Sequence, residues 1–134
     1  MAVDLVVTSN KDVPEYRREY SLRFDDDGYY YYWFLYPLFE ELCEQTDKMI
    51  DLYGDTRFET EYLSILKNTV EKAHTLVEQQ PSKWMVHTGM QIRPVKKKIQ
   101  KWVTKEGFHS RLGQLTKMVD YALMNDEHIV CLGD

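Results

Sequence analysis

Cysteine is scarce in this 134-residue chain. Cys43 and Cys131 are the only two, which excludes a disulfide-stapled scaffold and a four-thiolate zinc site. Glycine is scarce too, at six, and neither Gly-x-Gly-x-x-Gly nor Gly-x-x-x-x-Gly-Lys occurs, so no phosphate-cradling loop is legible. Long hydrophobic runs are missing. The longest, Tyr29 to Phe39, has eleven residues and is flanked by acids, against the roughly 18 or more that a membrane span needs. The first nine residues carry Asp4 and no basic start, so they do not read as a signal peptide. These absences lead us to expect a cytoplasmic protein with reduced thiols and no membrane segment.

Catalytic constellations are missing as well. Ser64-Ile-Leu-Lys67 has the Ser-x-x-Lys form but none of the partner motifs, and it falls inside an amphipathic helix pattern. The four histidines are scattered, with no His-Glu-x-x-His. Asp25-Asp26-Asp27-Gly28 fails as a calcium loop, because with Gly28 at the turn the first ligand would be Arg23 and the last Phe34. Cys43 and Cys131 both sit in apolar surroundings and read as buried small hydrophobes rather than nucleophiles. Glu40, Glu41 and Glu44 read as a solvated helix face. We therefore expect no metal, no cofactor and no enzymatic activity.

What is present suits one globular domain over 1–134. Hydrophobic residues make up 43% and charged residues 29%, and a chain of this length buries roughly two-thirds of its unfolded surface. Charge is divided unevenly. Residues 1–82 hold 17 acids and 8 bases, while residues 83–134 hold 5 acids and 9 bases, within an overall −5. The basic residues Arg93, Lys96, Lys97, Lys98, Lys101 and Lys105 run without an acid until Glu106. They form a candidate anion-binding segment, although an acidic protein is a poor nucleic-acid binder unless such a segment faces outward as one patch.

Periodicity predicts strands over Val3–Thr8, Arg18–Phe24, Trp84–Ile92, Val95–Val103 and His128–Leu132. Residues 95–103 also match a helical stripe, and Arg93-Pro94 suggests a hairpin ahead of them. Helices are predicted over Tyr29–Tyr53, with Asp27 as cap, Pro37 as a kink or a start, and Gly54 as stop. A second runs from the capping box Thr56-x-x-Glu59 to Gln80, and a third from Lys105 to about Asn125 behind a Thr104 cap. The order β-β-α-α-β-β-α-β implies an α+β domain, with an antiparallel or mixed sheet of about five strands against three helices.

Five of the ten tyrosines fall within Tyr29–Tyr36, with Trp33 and Phe34 among them. Consecutive helix residues step by about 100°, so Tyr29 to Tyr32 point around the whole circumference and cannot all enter one core. Tyrosine and tryptophan are favoured interface anchors. This makes Tyr30, Tyr31 and Trp33 candidate anchors, with Asp25, Asp26 and Asp27 as their acidic rim.

The stretch Phe24-Asp25-Asp26-Asp27-Gly28-Tyr29 through Phe34-Leu35-Tyr36-Pro37-Leu38-Phe39-Glu40, followed by Met49-Ile50-Asp51-Leu52-Tyr53-Gly54-Asp55, resembles small bacterial single-domain proteins of the toxin-immunity type. The resemblance implies a cytosolic inhibitor that binds a cognate toxin, and it supplies no catalytic residues. The expected function is thus protein binding through an acidic, tyrosine-rich surface. The alternative is a small nucleic-acid or anion-binding regulator using Arg93, Lys96, Lys97, Lys98 and Lys101.

Overall fold

A computed structural model of the chain describes residues 2–24, 29–91 and 97–133, and the side chains of all of these except 29, 30, 87–91 and 97–101. The elements are β1 (Val3–Thr8), β2 (Tyr16–Phe24), α1 (Tyr29–Thr46), β3 (Asp55–Phe58), α2 (Thr60–Glu78), β4 (Lys83–Gln91), β5 (Lys97–Thr104), α3 (Lys105–Asn125) and β6 (His128–Gly133). The fold is α+β, with three helices as expected. Among the described residues, six strands divide between two antiparallel sheets, a four-stranded sheet ordered β2-β1-β6-β3 and the β4-β5 ribbon. No helix among the described residues is long and apolar enough to cross a membrane.

Alternation explains the larger sheet. Val3, Leu5 and Val7 of β1, with Ile129 and Cys131 of β6, are fully buried beneath the helices. The opposite face carries the Asp4–Arg23 pair and Leu132. The α3–β6 junction is held from several directions. Asp126 takes a left-handed backbone with φ 53° and caps α3. Arg17 Nε and Nη2 donate to the two carboxylate oxygens of buried Glu127 at 3.1 and 2.8 Å, and Thr60 Oγ1 donates to the Glu127 carbonyl. The bond to Glu127 raises the Arg17 pKa above its ordinary value.

Two expectations fail at the centre of the chain. The first helix stops at Thr46, well short of Tyr53 and Gly54. Asp47 turns left-handed at φ 60°, and the Thr46 hydroxyl donates to the Leu42 carbonyl while accepting from the Lys48 N–H. Tyr53, the expected last residue of that helix, lies beyond it and is 66% exposed. Thr56-x-x-Glu59 is no capping box: Thr56 lies in β3 opposite Cys131, and α2 is capped by Glu59 with no side-chain bond. Pro37 lies within α1. The proposed Asp27 cap and the Arg93-Pro94 turn fall outside the described residues.

Aromatic stacking fixes the ribbon to the helices. Trp84 lies parallel to Phe108, with centroids 5.1 Å apart, and Phe34 meets both edge-on. Thr104 caps α3 as expected, accepting from the Gly107 N–H at 2.9 Å. Gly107 is required by a neighbour: a Cβ there would stand 2.8 Å from Tyr31 Cζ and against the ring's hydroxyl. Gly107→Ala, ordinarily favourable in a helix by up to about 1 kcal/mol, should instead destabilise by about 1–3 kcal/mol through overpacking. Urea denaturation checks this, and in a Tyr31→Ala background the penalty should shrink to less than half.

Candidate protein-interaction face

The first turns of α1 sort the aromatic run by rotation. Tyr32 is the inward ring, 1% exposed, and its hydroxyl donates to the Ile50 carbonyl at 2.7 Å. Tyr31 and Trp33 flank it in sequence and therefore leave the helix on opposite sides. Tyr31 turns toward α3. It meets Phe108 edge-on at 4.6 Å, lies 3.9 Å beneath the Arg111 guanidinium, and its hydroxyl is 3.4 Å from Thr104 Oγ1. That ring is committed to holding α1 on α3, so Tyr31 and Trp33, two of the three candidate anchors, do not share a surface.

Trp33 turns the other way and is half-buried, with the Tyr36 ring 5.0 Å from its own. Spacing then continues the same face: Trp33, Tyr36, Glu40, Cys43, Glu44 and Asp47 fall within an arc of about 100°. Tyr36, Glu40, Cys43, Glu44, Asp47 and Met49 line one shallow depression. Glu40, Glu44 and Asp47 are exposed, and none enters an ion pair among the described residues. Other charges are already satisfied. Lys72 pairs with Glu41, Lys67 with Asp120, and Lys48 with Glu59. Burial acts to raise the Glu59 pKa, but its own backbone N–H and Lys48 outweigh this and leave it lowered. The His109 ring lowers that of Glu78.

Sequence reasoning found Trp33 here, passed over Tyr36 and Asp47 as site residues, and read Glu40 and Glu44, together with Glu41, as a solvated helix face. The signal that could have found them is their common phase with Trp33, which separates Glu40 and Glu44 from Glu41. The Tyr30 side chain and Asp25, Asp26 and Asp27 lie outside the described residues, immediately before this face in the chain. On the basic side, Lys97, Lys98 and Lys101 lie on β5, opposite Gln91, Met90 and Val86, while Arg93 and Lys96 fall outside the described residues. Trp102, 55% exposed, has Lys83 Nζ 5.2 Å from its ring. Among the described residues no group of three or more His, Cys, Asp or Glu could hold a metal ion. A larger depression between α1 and α2 is lined by Leu38 and Leu76 with a mostly polar rim.

No protein-family model, curated protein or solved structure matches this chain.

The two cysteines report on the face directly. Cys131 is fully buried, and burial pushes its thiol up to about 12, whereas Cys43 is only half-buried in the depression. Iodoacetamide should alkylate Cys43 in the native protein and Cys131 only after denaturation. Peptide mass spectrometry of timed samples distinguishes the two.

Proposed function

We propose that this chain is a non-enzymatic protein-binding domain, of the kind that neutralises a bacterial toxin, and that its partner docks on the outward face of α1. One observation carries the reading. The half-buried Trp33 and Tyr36 rings, packed on each other, continue along one face into Glu40, Glu44 and Asp47, acids that no base among the described residues neutralises. Aromatic anchors beside an acidic strip suit a basic protein surface. The rings supply desolvated contact area, and the acids accelerate encounter. The net charge of −5 acts in the same direction. Asp25, Asp26, Asp27 and Tyr30 precede the face in sequence and would extend its acidic, aromatic character toward the start of α1.

A second reading draws on Trp102 and Lys83, an exposed aromatic–base pair on the ribbon that also carries Lys97, Lys98 and Lys101. Such a pair suits a single-stranded nucleic acid, with stacking on the ring and phosphates on the bases.

Affinity capture from the native host at low salt, with wild type and Trp33→Ala run in parallel, separates the two. Trp33→Ala should weaken the captured partner by about 2 kcal/mol or more. Glu40→Lys with Glu44→Lys should mainly slow association and flatten its salt dependence. Circular dichroism confirms that each variant is folded. Equal binding by all three proteins contradicts the reading, and a gel shift abolished by Lys97→Glu with Lys101→Glu supports the second one.

A further inference from the structure

The four-stranded sheet ends on β3, a strand whose far side is unpaired among the described residues. Its phase follows from one bond. The Gly133 N–H donates to the Gly54 carbonyl at 3.1 Å, which makes Gly54 and Gly133 a hydrogen-bonded pair of the antiparallel ladder. Such pairs alternate with non-bonded ones. Thr56 and Phe58 therefore aim their main-chain groups at β6, and Asp55 and Arg57 aim theirs at the open edge. Both side chains are exposed, on the sheet face away from the core cluster; Asp55 Oδ1 accepts from the Gly133 N–H at 3.2 Å and Arg57 Nη1 lies 3.5 Å from His128 Nδ1, but neither enters an ion pair among the described residues.

We infer that this edge pairs with the same edge of a second copy of the chain. The argument is self-complementarity. A two-fold axis through Thr56 sets Asp55 opposite Arg57 of the other copy and Arg57 opposite its Asp55, as an isologous contact requires. In that register both charged positions are hydrogen-bonded pairs, so four main-chain bonds form at once. Both cross-strand pairs are of opposite charge, the favourable arrangement for directly opposed residues. Thr56 meets Thr56 at the axis. Edges are often blunted by charged side chains, lysine above all, or by proline. Here the opposite signs stand two residues apart, the spacing the axis needs. The result is a continuous sheet of eight strands. Tyr53, 66% exposed and two residues ahead of Asp55, lies at the margin of the contact.

Four hydrogen bonds and two ion pairs make a weak, salt-sensitive dimer, so the test works by concentration and by charge exchange. Sedimentation velocity across a concentration series in low salt should show wild type passing from monomer to dimer. Asp55→Arg alone and Arg57→Asp alone each place like charges opposite one another twice, and each should weaken dimerisation by about tenfold or more. An equimolar mixture of the two variants should associate again, because each supplies the charges the other lacks. Restoration in the mixture also shows that both variants are folded. A wild type that stays monomeric throughout overturns the inference. So do single variants that dimerise as wild type does, or a mixture no more associated than its components.

Discussion

A helix presents one residue at a time to the core, and α1 spends that place on Tyr32 among a run of tyrosines. A buried phenol needs an acceptor for its hydroxyl, or it forfeits the solvation it had in water. The Ile50 carbonyl supplies one at 2.7 Å, while Phe24, Trp33, Tyr36 and Phe39 surround the ring. That single bond fixes two things. It sets the rotation of α1, and it draws the segment after the helix back beneath it.

From the rotation follow both flanks. Tyr31 is delivered to Phe108 and Arg111, where it demands a glycine at 107. Trp33 and Tyr36 are delivered to the other side, in phase with Glu40, Glu44 and Asp47. From the returning segment follows the sheet edge. Ile50 is buried, and the Asp51–Gly54 turn closes on Gly133 so tightly that a Cβ at 133 would stand 2.6 Å from the Asp51 carbonyl oxygen and the Gly54 nitrogen. Asp55 then enters β3 beside β6, which determines which of its residues face outward. Internal ion pairs consume Asp4, Glu41, Glu59, Asp120 and Glu127. The charges left over at the α1 face and the β3 edge give those two surfaces their character.

Much of this was legible where one pattern excluded its rivals. β1 was, because Val3–Thr8 is too short and too β-branched for a helix; so were α3 with its Thr104 cap, and β6. β3 was not: four residues are too few to show alternation, and Thr56-x-x-Glu59 imitates a helix start. The end of α1 was hidden because Met49 and Ile50 continue the helical phase even though Asp47 has already turned the chain. Asp55 and Arg57 gain meaning only from a pairing with β6, more than seventy residues away. The same holds for Arg17 and Glu127, 110 residues apart. At the candidate face the rings were visible and the sides were not. A run of tyrosines states that some must be exposed, and only the packing selects Tyr32 as the fully buried one among those whose side chains are described.

The central claim is that Tyr32, and no neighbouring ring, is the inward residue that orients α1. Guanidinium denaturation of Tyr31→Phe, Tyr32→Phe and Tyr36→Phe tests it most directly, since each change removes only a hydroxyl. Tyr32→Phe should cost about 1–3 kcal/mol, because it strands the buried Ile50 carbonyl. Tyr36→Phe should stay within about 0.5 kcal/mol of wild type, with Tyr31→Phe between them. A Tyr32→Phe protein as stable as wild type, or one less affected than Tyr36→Phe, would contradict the account.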